Sequence, residues 1–136
     1  MILRTYEIPN GQRPPSATSV LVVDDDEDSR EALKGLLELD GYQVQAAADG
    51  ASALRIAQVF LPDVVILDIH MPGMDGYAVC RMLRGMDRLR ATKIFALSAL
   101  DTEQHARECS LAGFDERMTK PVQPQTLTQL LHGTPH

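Results

Sequence analysis

Short apolar runs that stop at an acid constrain this chain more than anything else in it. Residues 20–23 read Val-Leu-Val-Val and run into Asp24, Asp25 and Asp26. Residues 64–67 read Val-Val-Ile-Leu and run into Asp68. A run that is apolar at every position has no wet face, so it suits a strand covered on both sides, as in a parallel sheet. A membrane span needs about 20 apolar residues, and these longest runs are only four.

Helical spacing alternates with these runs. Ala32, Leu33, Leu36 and Leu37 share a face within 27–40, and Gly41 follows as a stop. Residues 42–47 read as a second strand. Ala53, Leu54, Ala57 and Leu61 are helically spaced in and just beyond 51–60, and Pro62 ends that segment. After the strand 64–67, residues 75–84 form a short helix with Val79, Met82 and Leu83 on one face. Residues 94–97 are a fourth strand, Glu103–Ala112 a helix closing at Gly113, and Glu116–Thr119 a weak fifth strand. Pro124 opens a last helix that carries Leu127, Leu130 and Leu131. The order βαβαβαβαβα predicts an α/β fold, a parallel sheet with helices on both faces. In such sheets the ligand site lies beyond the carboxyl ends of the strands.

The ends of the chain read differently from its middle. Residues 1–19 hold Pro9, Asn10, Gly11, Pro14, Pro15 and Ser16 and are expected to form a flexible arm or linker. Residues 20–132 form the domain, and 133–136 a short tail. The first 19 residues lack a signal-peptide block, and Cys80 and Cys109 have no motif spacing, so the expectation is a reducing cytoplasm. A net charge of −6, 4% aromatic residues and no Trp argue against a nucleic-acid surface as the main function.

If the sheet forms, Asp24–Asp26, Asp68, Ser98 and Lys120 converge on one edge. Clustered carboxylates repel unless a cation joins them. A hard divalent ion with oxygen ligands answers that need: Mg²⁺ in the first place, Mn²⁺ as a substitute. Mg²⁺ uses few protein carboxylates and leaves positions for phosphate oxygens. Lys120 could then hold a phosphate oxygen as a point charge, and Ser98 could donate to another. The set describes an aspartate that accepts a phosphoryl group.

Five pieces in order carry a resemblance: Val-Leu-Val-Val-Asp-Asp at 20–25, Ile-Leu-Asp-Ile-His-Met-Pro-Gly-Met-Asp-Gly at 66–76, Ala-Leu-Ser-Ala at 96–99, Ala-Gly-Phe-Asp at 112–115 and Thr-Lys-Pro-Val at 119–122. Through them the sequence resembles the receiver domain of two-component response regulators over residues 20–131. The resemblance implies a flavodoxin-like (βα)5 sheet of strand order 2-1-3-4-5. It implies that Asp68 takes a phosphoryl group from the phosphohistidine of a histidine kinase or histidine phosphotransfer protein. Asp25 would bind Mg²⁺ directly, Asp24 would help position it, and the His70 backbone carbonyl would be a further metal ligand. Ser98 and Lys120 would hold the phosphate, and the peptide before Pro121 would be cis. The domain would then be a signalling switch rather than a metabolic enzyme. Its downstream protein target would read the face made by the fourth helix, fifth strand and fifth helix.

Two positions depart from the family's commonest pattern: Arg117 stands where an aromatic switch residue is usual, and His70 stands two after the acceptor. The Gly113-Phe114-Asp115 pattern followed by Thr-Lys-Pro-Val resembles receivers of hybrid kinases and phosphorelays. Only 16 residues follow Lys120, too few for an output domain, so an autonomous DNA-binding role is not the expectation.

Rival readings are weaker. A haloacid-dehalogenase-type phosphatase would use Asp24 and Asp26, but it needs an acid after its lysine, and none follows Glu116. A flavodoxin-type electron carrier would have its flavin phosphate repelled by the acidic run after the first strand. A receiver that has lost its chemistry would lack some acceptor-site residue, and here all are present. A calcium loop fails at Ser29 and Gly35, where Gly and Glu are required. His70, His105, His132 and His136 read as surface residues, Cys80 and Cys109 as packing groups, and Met71, Met74, Met82 and Met86 as core or turn packing.

Overall fold

The computed structural model of the chain describes residues 18–73, 75–99 and 103–132. The expected arm up to residue 17 and the tail 133–136 lie outside the described residues. Five strands are β1 (Ser19–Val23), β2 (Gln43–Ala47), β3 (Val64–Asp68), β4 (Lys93–Ser98) and β5 (Glu116–Thr119). Five helices alternate with them: α1 (Glu27–Leu39), α2 (Gly50–Phe60), α3 (Gly76–Arg84), α4 (Glu103–Ala112) and α5 (Pro124–His132). All strand pairs are parallel, in the order β2-β1-β3-β4-β5. β1 begins at Ser19, one residue ahead of its apolar run, because Asp63 binds both the Ser19 N–H at 2.9 Å and its hydroxyl at 3.2 Å.

Period-two alternation sorts the strand side chains into two cores. Leu21, Val23, Val65, Leu67, Ile94 and Ala96 face one way, with Val79, Leu83 and Cys109 from the helices on that side. Val20, Val22, Val64, Ile66, Phe95, Leu97 and Met118 face the other, beneath Leu33 and Leu37 of α1 and Leu127 and Leu131 of α5. Each fully buried Leu, Ile or Val contributes about 1.5–3 kcal/mol by leaving water. That is why β1 and β3 need unbroken apolar runs.

Three helices begin in the same manner. Asp26, Asp49 and Asp75 have extended backbones, and their carboxylates accept from the N–H three residues on, at 2.9, 2.7 and 2.9 Å. Each cap follows the carboxyl end of a strand, so the helix starts gather at one edge of the sheet. At the opposite edge Arg84 ties α3 to its neighbours, donating to Gly113 O at 2.9 Å, to Thr92 O at 2.7 Å and to the Asp115 carboxylate. Asp115 in turn accepts from the Ile94 N–H at 2.8 Å.

α2 ends at Phe60 as expected, with Leu61 as a left-handed cap (φ 51°), because Pro62 disfavours a right-handed helical residue before it. Other positions differ from expectation. Met82 lies 47% exposed instead of packing with Val79 and Leu83. Ala32 is likewise exposed, off the buried stripe of α1. A 3₁₀ turn over Asp87–Leu89, unannounced by any pattern, plugs Leu89 into the core. Among the described residues no helix is long and apolar enough to cross a membrane.

Candidate functional site

The carboxyl ends of β1 and β3 are neighbours because these strands pair, with Val23 beside Leu67. The next residue on each, Asp24 and Asp68, is therefore delivered to one place. Both are buried, at 1% and 3% exposure, and Asp25 is exposed at the rim. One carboxylate oxygen from each of Asp24, Asp25 and Asp68 lies within 4.8 Å of the others. Local hydrogen bonds orient the two buried groups. Asp24 Oδ1 accepts from the Asp26 N–H at 3.0 Å, and Asp68 Oδ1 from the His70 N–H at 3.1 Å.

Lys120 reaches this pair from the far side of the sheet. Its Nζ donates to Asp68 Oδ2 at 3.0 Å and to Asp24 Oδ2 at 3.2 Å. Lys120 follows β5, and its N–H is fixed to Ser98 O at 2.7 Å. Ser98 ends β4 at full burial, one residue beyond the Leu97 that pairs with Asp68. The Lys120–Pro121 peptide is cis.

Burial pushes the Asp68 carboxyl above its ordinary value, and Asp24 adds to the rise. The hydrogen bond and charge of Lys120, with the His70 amide, pull part of it back. For Lys120 burial acts downward, but the hydrogen bond and charge of Asp68, then Asp24, outweigh it, and the ammonium is held above its usual range. Three acids against one ammonium leave unbalanced negative charge at a partly desolvated point, which is the chemistry of a divalent-cation site. The donor set is all oxygen and suits a hard ion.

The loop after Asp68 is shaped by two glycines. Gly73 has φ +83°, a conformation open to Gly but strained for other residues. At Gly76 a Cβ would lie 2.5 Å from Ile69 Cα and 2.6 Å from Asp68 O, so α3 can begin against the loop after Asp68 only with Gly there.

The residues expected to cluster do so: Asp24, Asp25, Asp68 and Lys120 meet, with Ser98 at the adjoining strand end. Asp26 does not join them. Its carboxylate is exposed and caps α1 on the Ser29 N–H, so the phosphatase reading built on Asp24 and Asp26 loses its second acid. Arg117 is half-buried on β5. Cys80 and Cys109 are buried thiols, as expected.

One histidine contradicts the surface expectation. His105 of α4 is only 3% exposed. Its Nδ1 lies 2.8 Å from the Tyr77 hydroxyl, and its ring is stacked on that of His70, centroids 6.2 Å apart and planes 12° from parallel. The signal for its burial was the helical spacing of 105, 109 and 112, where Cys109 and Ala112 are also buried.

Comparison with known proteins agrees with this geometry. The family model described as response regulator receiver domain matches residues 20–132. The response regulator PleD of Caulobacter vibrioides is 38% identical over 103 residues, which cover 76% of this chain and 23% of PleD. This chain thus spans about a quarter of that relative's length. The solved structure of the chemotaxis protein CheY4 of Vibrio cholerae superposes with a TM-score of 0.83 at 32% identity, covering 87% of this chain and 98% of that one. The receiver domain of the sensor histidine kinase PA1611 of Pseudomonas aeruginosa, solved with a magnesium ion coordinated in its active-site cleft, gives 0.79 at 28% identity, covering 86% and 96%.

Proposed function

This chain belongs to the response regulator receiver domain family of two-component signalling, and on that premise we propose that Asp68 is its phosphoacceptor. The observation that carries the reading is the shared ammonium. Lys120 Nζ lies within 3.2 Å of both buried carboxylates, placed to neutralise charge on a group bound to Asp68. In the transfer, an Asp68 oxygen attacks the phosphorus of a phosphohistidine. The new O–P bond forms as the N–P bond breaks, and the imidazole leaves with the electron pair. Lys120 takes one phosphoryl oxygen as a point charge, and the Ser98 hydroxyl donates to another.

Asp24, Asp25, Asp68 and the His70 carbonyl would hold Mg²⁺, or Mn²⁺ in its place. The bound ion would supply charge neutralisation for the phosphoryl oxygens. Support comes from the all-oxygen donor set and from the magnesium in the PA1611 receiver. The donor is a histidine kinase or a histidine phosphotransfer protein. A groove of about 430 Å³ beside the carboxylates, lined by Leu33 and Leu36 of α1 with Lys120, Pro121 and Val122, offers such a partner an apolar seat. Phosphorylation then shifts a two-state equilibrium in the loop after β4, and the face of α4, β5 and α5 presents the result to a downstream protein. The domain acts as a switch, working in the reducing cytoplasm with both thiols buried.

Intact-protein mass after incubation with acetyl phosphate and Mg²⁺ tests this reading. A single phosphoryl adduct is expected on the wild type, and none on Asp68→Asn or in EDTA. An adduct that persists in Asp68→Asn would refute the assignment.

A further inference from the structure

His70 has two different attachments. Its backbone N–H is bound to the Asp68 carboxylate at 3.1 Å, so its position follows the acceptor. Its side chain is exposed, yet the ring lies on His105, 6.2 Å between centroids and 12° from parallel. Offset stacking at this distance is within the attractive range for aromatic rings.

His105 cannot drift. It is buried on α4, its Nδ1 is 2.8 Å from the Tyr77 hydroxyl of α3, and its Nε2 is 3.9 Å from Cys109 Sγ. Tyr77 is itself set edge-on to Phe114, centroids 6.3 Å apart. Burial pushes the Tyr77 hydroxyl up to about 12, so it stays protonated and can donate to Nδ1. The His70 ring therefore rests on a base fixed from α3, α4 and the turn before β5.

Resting on the assignment of Asp68 as acceptor, we propose that His105 is a positioning residue for the phosphorylated site: by stacking on His70 it fixes the imidazole beside Asp68 and so sets how long the phosphoryl group survives. In hydrolysis a water oxygen attacks phosphorus, and the bond from phosphorus to the Asp68 oxygen breaks. Inorganic phosphate leaves, and the water's surplus proton passes to solvent. An imidazole held at the rim of the site defines the volume through which that water enters. Freed from its base, the ring samples other rotamers and that volume changes. The same stack makes phosphate lifetime sensitive to where α4 sits. A partner that moves α4 would then alter the lifetime.

The test is a double-mutant cycle on the full chain. Wild type, His105→Leu, His70→Ala and the double variant are phosphorylated with acetyl phosphate and Mg²⁺ and desalted. Adduct decay is then followed by intact mass, with circular dichroism confirming the fold. His105→Leu should change the decay rate by about threefold or more with His70 present, and by far less in the His70→Ala background. Equal factors in both backgrounds, or no change in either, would overturn the proposal, since a merely structural role does not depend on the His70 ring. If His105→Leu fails to fold, Tyr77→Phe takes its place in the cycle; it removes only the hydroxyl, and the same non-additivity is required of it. An unphosphorylated wild type would instead count against the Asp68 assignment itself.

Discussion

Lys120 Nζ lies 3.0 Å from Asp68 Oδ2 although the two residues are 52 positions apart. The ammonium is shared with Asp24, 96 positions away, so one side chain from the last strand's end ties together acids from the first and third.

Replacing that ammonium should therefore be felt twice. Lys120→Met leaves two buried carboxylates without their cation, and stability should fall by about 1–3 kcal/mol in urea unfolding. Phosphorylation by acetyl phosphate should slow by about 100-fold, the size of losing one preorganised donor to a transition state. Because the Lys120 value is raised in the fold, its stabilisation is present below the ordinary 10.5 and is lost as pH rises through the raised value. The alkaline loss of stability should shrink in Lys120→Met.

Two glycines make opposite predictions. Gly76→Ala drives a methyl into Ile69 Cα and Asp68 O and should lower stability by about 1–3 kcal/mol. It should slow phosphorylation as well, since the atoms it strikes belong to the acceptor loop. Gly35→Ala, inside α1 with nothing within 4 Å of the new methyl, should raise stability by about 0.5–1 kcal/mol and leave the phosphorylation rate alone. Paired melts and adduct time courses separate the two.

Arg84→Leu should separate stability from chemistry. It strips partners from Gly113 O, Thr92 O and Asp115 at once, and a loss of about 2–4 kcal/mol is expected. The adduct rate of the folded fraction should match wild type, because Arg84 stands at the opposite end of the strands from the site.

Strong acid should weaken two helix caps. Hydrogen bonds from the Ser29 and Ser52 amides hold Asp26 and Asp49 below the ordinary 3.8. Their stabilisation is complete above that value and is lost as pH falls through the lowered ones. Asp26→Asn keeps an acceptor that does not titrate, so its unfolding midpoint should fall less steeply in acid than that of wild type.

Most of the site was legible because strand-end acids mark an edge wherever the strands themselves are unmistakable. The runs before Asp24 and Asp68 have no polar face, so both residues had to stand at the sheet's carboxyl end. Lys120 and Ser98 follow weaker strands and took meaning only from the first two. His105 was missed because a histidine among Glu, Arg and Gln on α4 looks solvated until its helical spacing to Cys109 is counted. The end of α2 was legible too, because Pro62 disfavours a helical residue before it and the helix stops at Phe60. Met82 sits one step off the stripe that Val79 and Leu83 define, and a flexible apolar side chain there gives no signal of its own.

β5 is four residues long and lies at the edge of the sheet, paired to β4 alone. Edge elements with few partners are where a native protein opens first, without global unfolding. An excursion of β5 would carry Lys120 away while β1 and β3, locked in the middle, keep their acids in place. The same chain would thus alternate between a neutralised site and a bare acidic one, at a frequency readable as amide exchange at Lys120, whose N–H is held by Ser98 O across that edge.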